Sequence, residues 1–299
     1  TVSWPVVKAR ETEIVLNPVA FELPGFGFSR GLEGLPATFQ ADHQRVCRKV
    51  LRLIERFDPI SFGHLAAMLR VVAFKPPPNG DYANLSHSEL PGAVVLSVSP
   101  EPYILAAGLI HEVHHNRLFC IEELGPFFDP AGPDPLADAD YYSPWREDLR
   151  PLHGILHAVY VFIPVFRFWS TVLATAEIPR RLLGFVRQRL ASLSAQLRIG
   201  IAQLRRYAQF TEFGAAVFEE ICREVERLEV GSAQPARTLD LPVMILDESG
   251  SFAAELNPST GRPLMVRERL LRHLREHDLH RQCSEGWLVK LGHDEREPG

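Results

Sequence analysis

Hydrophobic residues recur at three- and four-residue steps through several long stretches of the chain, which is the pattern of helices with one buried face. The first stretch begins at Asp42 and stops at Asp58-Pro59, because a residue before proline disfavours helical geometry. The other stretches are residues 100–124, 150–175, 183–204 and 214–228. The last two are amphipathic throughout and predict a long antiparallel helix pair.

Strand-like segments are shorter and hold branched apolar residues between turn-forming residues. They are residues 12–22, 69–74 and 93–98, and near the C-terminus 239–245 and 251–256, which predict a β-hairpin. A charged helix is predicted at 266–276. Because 231–236 has the composition of a linker, we predict a catalytic domain over 1–232, with the hairpin and last helix, 233–299, packed on it.

The segment His111-Glu112-Val113-His114-His115 lies inside the second of these predicted helices. Residues i and i+4 share one face of a helix, so His111 and His115 can present two imidazoles to one metal ion. Glu112 lies about 100° round the helix, where its carboxylate can reach a water on the metal. His114 points away from this face and is expected to be a neighbour of the ligands.

A third ligand is needed for a catalytic metal. The residues after His115 lack the HxxGxxH extension of metzincins. The next predicted helix instead begins with His153 and His157, again an i/i+4 pair on one face. We favour His153 as the third ligand because it is nearer to the helix start, and His157 is the alternative.

Together these elements predict an α+β fold that is mainly α. Its parts are the metal-site helices, a small zincin-like antiparallel sheet and the long antiparallel helix pair. The most apolar run, residues 155–173, contains Pro164 and Arg167 and predicts a buried core helix better than a membrane span.

Composition narrows the function classes. The 299 residues are 46% hydrophobic and 23% charged, with a formal net charge of -5, which is typical of a globular protein and favours neither nucleic acid nor a membrane as partner. Four dispersed cysteines and the lack of a signal-peptide pattern at the N-terminus favour a reducing cytoplasm. The sequence does not specify an oligomeric state.

Two chemistries suit a site with three protein ligands. Zinc keeps one water, which Glu112 would deprotonate for attack on a peptide carbonyl. Iron(II) keeps three open positions, which can take a bidentate 2-oxo acid and dioxygen. The motif by itself favours the zinc peptidase, because hydrolysis is its commonest use.

Three segments resemble the HExxH-domain family of bacterial peptide-modifying proteins, which is associated with ribosomally made natural products. They are His111-Glu112-Val113-His114-His115-Asn116-Arg117-Leu118, Tyr141-Tyr142-Ser143-Pro144-Trp145-Arg146 and Arg150-Pro151-Leu152-His153-Gly154-Ile155-Leu156-His157. The resemblance is strong over about residues 93–169 and weak elsewhere. The chain departs from the expected pattern at His114, where glutamine is expected.

This resemblance implies an iron(II)/2-oxoglutarate-dependent hydroxylase that acts at a β-carbon in a precursor peptide. His111, His115 and His153 would hold the iron. Arg146 and Arg150 are the candidates for the distal carboxylate of 2-oxoglutarate, because a guanidinium matches a carboxylate bidentately. Glu112 would orient a ligand, a water or the substrate.

Further expectations concern the substrate and the competing functions. Tyr141, Tyr142 and Trp145 either line the pocket or pack the loop. The peptide is expected along the strand at 93–98. The alternatives are a zinc peptidase with Glu112 as general base and a non-catalytic peptide-binding protein.

Overall fold

The computed structural model of the chain describes residues 6–16, 21–23, 27–29, 37–75, 84–132, 136, 141–145, 149–175, 177–231, 245–246 and 252–253. The fold is mainly helical with a small mixed sheet. This composition confirms the prediction of an α+β fold that is mainly α. The chain divides into two compact units, Thr1–Gly125 with Tyr160–Glu177, and Pro126–Val159 with Ile178–Gly299. The predicted domain boundary at residues 232/233 lies outside the described residues.

Five of the six helices in the described residues correspond to the stretches with helical spacing of hydrophobic residues, and the sixth is the short helix Pro59–Met68. The helices are α1 (Ala37–Phe57), α2 (Pro59–Met68), α3 (Pro102–Glu122), α4 (Leu152–Ala174), α5 (Arg180–Tyr207) and α6 (Glu212–Gly231). The strands are β1 (Val6–Ala9), β2 (Thr12–Leu16), β3 (Phe21–Leu23), β4 (Gly27–Ser29), β5 (Val71–Lys75), β6 (Leu85–Ser86), β7 (Ala93–Ser97), β8 (Tyr141–Tyr142), β9 (Leu149–Arg150), β10 (Ile245–Leu246) and β11 (Phe252–Ala253).

The main sheet has the strand order β1-β2-β5-β7-β6. Strands β2, β5 and β7 are parallel, whereas β1 and β6 pair with their neighbours antiparallel. The prediction of an antiparallel sheet is therefore wrong. Helices α1 and α2 lie between β2 and β5 in the chain, and such a helical crossover returns the chain in the same direction, which makes the two strands parallel.

Asp58 connects three helices of the first unit. Its carboxylate accepts the backbone N–H of Ser61 at 3.2 Å and so caps α2, while Arg167 of α4 donates to it at 3.0 Å. Asp58 is only 1% exposed. Removal of one partner of such a buried pair typically costs about 3–5 kcal/mol, because the other charge stays buried without compensation.

Helix α3 begins two residues later than the sequence suggests. The predicted start had Ser99 as the cap and Pro100 at the first helical position, but Glu101 is the N-cap and Pro102 begins the helix. The Ser99 hydroxyl accepts the backbone N–H of Glu101 at 3.1 Å. Both Pro100 and Pro102 suit a first turn, so the sequence alone did not distinguish the two starts.

Asn116 fixes α3 to the start of β7. Its side-chain oxygen accepts the N–H of Gly92 at 2.9 Å, and its amide nitrogen donates to the carbonyls of Ala93 and Glu112 at 3.3 and 3.2 Å. Gly92 has a φ of 83°, a conformation that glycine adopts without steric cost. These bonds fix the rotation of α3 against the sheet, and with it the side of the helix on which each motif residue lies.

The second unit contains a tight start for α6. The Thr211 hydroxyl accepts the N–H of Gly214 at 2.9 Å, which is an N-cap interaction. A Cβ atom at Gly214 would lie 1.9 Å from the carbonyl oxygen of Phe127. Only glycine fits at position 214, because any side chain would collide with the backbone of Phe127.

Helix α4 is long and apolar enough, by length and composition, to cross a membrane. Of its most apolar 18-residue window, 67% is buried inside the protein, which is typical of a core helix. At the C-terminus, β10 and β11 pair antiparallel and confirm the predicted hairpin at those residues. The predicted helix at 266–276 lies outside the described residues.

Candidate metal centre

His111 and His115 lie side by side on α3, as their spacing predicts. Their ring centroids are 4.8 Å apart at an interplanar angle of 75°. Phe162 of α4 lies 4.7 Å from the His111 ring, and Phe119 stacks on His115 at 6.0 Å. The His111 side chain is 23% exposed, so the pair combines an aromatic wall with access to solvent.

Glu112 points to the sheet side of α3. It is 3% exposed, and the Ser86 hydroxyl donates to its Oε2 at 2.7 Å. The other oxygen, Oε1, lies 3.9 Å from Nε2 of His111. Burial raises the pKa of Glu112 to about 7, although the hydrogen bond from Ser86 and the charge of Lys75 act in the opposite direction. Protonated and ionised forms of this carboxyl group are therefore both accessible near neutral pH.

Ser86 belongs to β6, the edge strand beside β7. The expectation that the strand at 93–98 accepts an extended peptide stays a prediction; β7 pairs with β5 on one side, and on the other side β6 pairs with Val94 and Val95. The short strand β6 is the edge strand that lies next to Glu112.

His114 and His64 form a hydrogen-bonded pair on another side of α3. Nδ1 of His114 donates to the carbonyl of Ile110 at 2.8 Å, and its Nε2 lies 3.3 Å from Nδ1 of His64. Burial lowers the pKa of His114 to about 3, and burial followed by the charges of Arg117 and Arg167 lowers the pKa of His64. The sequence-based view of His114 as a hydrogen-bonded neighbour agrees with this geometry.

A group of three possible metal ligands includes both histidines of α4. One ligand atom each from Glu122, His153 and His157 lie within 4.8 Å of one another, and the rings of His153 and His157 are 4.2 Å apart. Neutral imidazole and carboxylate are suitable donors for iron and zinc. The donor chemistry of these residues therefore fits a divalent metal.

The other predicted residues have different surroundings. Arg146 lies outside the described residues, and Arg150 lies in β9, where it pairs with Tyr141. The Tyr141 ring lies 5.3 Å from the Tyr207 ring of α5. A Cβ atom at Gly200 of α5 would lie 2.8 Å from the Trp145 ring. These contacts favour loop packing for Tyr141 and Trp145.

Sequence reasoning missed Glu122 and Ser86. Glu122 follows His111 by eleven residues and His115 by seven, and both separations return to nearly the same face of a helix. Helical periodicity could have found it. Nothing comparable connects Ser86 with Glu112, because the two residues meet only through the pairing of β6 with β7.

Comparison with known proteins assigns no family to this chain. No protein-family model matches it, and no curated protein is found as a relative.

Proposed function

We propose that the protein is an iron(II)/2-oxoglutarate-dependent oxygenase that hydroxylates a residue of a ribosomally made precursor peptide at its β-carbon. The observation that supports this most is the ligand set Glu122, His153 and His157. Two histidines and one carboxylate are the facial ligands of non-haem iron(II) oxygenases. The resemblance of the motif segments to bacterial peptide-modifying proteins implies the same reaction, although it assigns the iron to His111, His115 and His153.

In this proposal Glu122, His153 and His157 hold the iron, and His111 and His115 lie on the same helix as Glu122 without binding the iron. When bound, iron(II) with 2-oxoglutarate and dioxygen supplies the oxidation that converts a C–H bond to C–OH, with succinate and CO2 as coproducts. The residues of the chain must orient the peptide and keep bulk water away from the metal site. Phe119 and Phe162 supply apolar surface beside the His111/His115 pair.

The test is anaerobic loading of the full chain with iron(II), followed by 2-oxoglutarate, oxygen and a candidate precursor peptide. We expect succinate in step with a peptide that has gained one oxygen atom, as measured by mass spectrometry. The controls are the metal-free protein with the peptide and the iron-loaded protein without the peptide. Absence of succinate from the iron-loaded protein with every candidate precursor peptide would refute the proposal.

A zinc peptidase is the second candidate, and the position of Glu112 favours it. This carboxylate is adjacent in sequence to His111, is buried, and is held by Ser86 of the edge strand β6. Extended peptides commonly bind along such an edge. His111 and His115 would then hold the metal, and Glu112 would take a proton from the attacking water.

Glu112→Gln separates the two candidates. The amide can still accept a hydrogen bond from Ser86, but it cannot serve as a base. For the oxygenase we expect succinate formation within about threefold of the wild type, because Glu112 is not among the ligands. For the peptidase, cleavage by zinc-loaded protein would fall by about a hundredfold or more.

A further inference from the structure

A cleft with a volume of about 560 Å³ runs beside β1 in the first unit. It is lined by residues of β1, β2, α1 and α2, so a strand and a helix both face it. Val7, Leu51 and Phe62 supply apolar surface, and six charged side chains supply the rest of the chemistry considered below. We call this space the β1 cleft.

Strand β1 forms one edge of the five-stranded sheet. Among the described strands it is hydrogen-bonded to β2 alone, antiparallel over Val6–Ala9. The Lys8 side chain is 66% exposed, so this strand reaches solvent. An edge strand presents backbone N–H and C=O groups with which an extended peptide can pair. The β1 cleft therefore has the geometry in which a peptide adds to a sheet as a further strand, with a helix beside it.

The charged side chains of the β1 cleft have a positive excess. Lys8 is neutralised by Glu13, whose carboxylate lies 3.6 Å from its ammonium nitrogen. Glu55 is the other carboxylate that lines the cleft in the described part of the chain. The guanidinium groups that have no acidic partner among the described residues are those of Arg10, Arg48 and Arg52. This local excess stands in a chain whose formal net charge is -5, so it favours an anionic partner at this place alone.

The three guanidinium groups enter the β1 cleft from two sides. Arg10 stands at the turn between β1 and β2, with its guanidinium carbon 5.8 Å from the centre of the Phe62 ring. Arg48 and Arg52 are exposed and share one face of α1, about 6 Å apart along the helix axis. Alternate side chains on one face of an extended peptide are separated by about 6.6 Å. Two carboxylates spaced by two residues on a strand therefore match the two arginines of α1.

We propose that the β1 cleft binds an acidic peptide segment of another protein molecule in extended conformation, paired with β1 and with alternate carboxylates beside Arg48 and Arg52. Backbone hydrogen bonds orient such a segment, and guanidinium–carboxylate pairs select its charge. Binding at this cleft requires neither the metal nor the proposed reaction. Strands β1 and β6 are opposite edges of the sheet, roughly 19 Å apart over four strand spacings, so the bound segment leaves the edge beside Glu112 unobstructed.

Fluorescence anisotropy with the full chain at low ionic strength tests this binding. The probe is a labelled peptide of about six residues in which threonine and glutamate alternate, and its counterpart has glutamine in place of glutamate. We expect the acidic peptide to bind at least about tenfold more tightly, because two guanidinium–carboxylate pairs form. This preference should largely disappear at about 0.5 M salt, which screens exposed charges. Equal affinity of the wild type for the two peptides at low salt would overturn the proposal.

Variants of the three arginines locate the site. Arg48→Gln and Arg52→Gln should each reduce the preference about threefold, and the double variant should remove most of it. Arg10→Gly should also reduce it about threefold, and glycine suits the φ of 54° at this turn. Lys49→Gln is the matched control, since Lys49 is an exposed residue of α1 that does not line the cleft. A folded double variant with the full preference, or an equal loss in Lys49→Gln, would overturn the proposal.

Two further probes distinguish a paired strand from any other polyanion. Alternate N–H groups of a strand point to opposite sides, so N-methylation of one alternate set in the acidic peptide should weaken binding about tenfold, and methylation of the other set should have little effect. Equal effects of the two methylated peptides would show that no pairing with β1 occurs. Short single-stranded DNA that binds as tightly as the acidic peptide would overturn the assignment of a peptide to this cleft.

Discussion

Among the residues that the structure describes, two histidine pairs have the same i/i+4 spacing, and a different carboxylate lies beside each of them. The His111 and His115 rings are 4.8 Å apart, and the adjacent carboxylate, Glu112, is hydrogen-bonded to Ser86. The His153 and His157 rings are 4.2 Å apart, and Glu122 offers an oxygen within 4.8 Å of their ligand nitrogens. The same histidine spacing therefore gives two different sites, because a carboxylate joins His153 and His157 as a possible third metal ligand, whereas the carboxylate beside His111 is hydrogen-bonded to Ser86.

The strongest test of this comparison is metal binding by variants of the two pairs. We expect His153→Ala, His157→Ala and Glu122→Ala to weaken iron(II) binding by roughly a thousandfold, about 4 kcal/mol, because each loses a direct ligand. His111→Ala and His115→Ala should weaken it by about tenfold at most, as expected for residues that do not bind the metal directly. Metal content after gel filtration and competition with a chelator measure both.

His87→Ala is the control, since His87 lies in the loop between β6 and β7. The reverse ranking, in which the His111 and His115 variants lose the metal and the Glu122 variant retains it, would support the zinc peptidase. It would also restore His111 and His115 as ligands, as the sequence predicts.

A second test uses the buried carboxylate beside the first pair. Glu112 has a pKa of about 7 in the folded protein and an ordinary value of 4.5. The folded state therefore holds more protons than the unfolded state between these pH values, and stability falls as pH rises. Above pH 7 the ionised carboxylate costs on the order of 3 kcal/mol.

Glu112→Gln should remove this cost. In urea unfolding of the metal-free protein, the variant should match the wild type near pH 4 and exceed its stability near pH 8 by on the order of 3 kcal/mol. His64 and His114 titrate in both proteins, so their contribution cancels in the difference. Glu55→Gln, at an exposed position of α1, should leave the pH dependence unchanged. A constant difference between Glu112→Gln and the wild type across this pH range would show that the carboxylate is not desolvated.

The helices and the first histidine pair were predictable, whereas the partners that define each pair were not. Repeating apolar residues at helical steps fixed α1 and α3 to α6 within a few residues, because that signal extends over several turns. The direction of β5 depends on the crossover through α1 and α2, which the strand pattern alone does not contain. Glu122 lies on the motif helix itself. Its importance depends on His153 and His157 of α4, more than thirty residues later in the chain.

The smallest effect expected is that of Ser86, which tests whether the edge strand holds Glu112. Ser86→Ala removes a hydrogen bond of 2.7 Å that favours the ionised carboxylate. The pKa of Glu112 should therefore rise further, and the stability difference from Glu112→Gln at pH 8 should grow by about 1 kcal/mol. Ser86→Thr keeps a hydroxyl and is the matched control. If Ser86→Ala follows the wild-type pH profile, the hydrogen bond from Ser86 of β6 does not influence the pKa of Glu112.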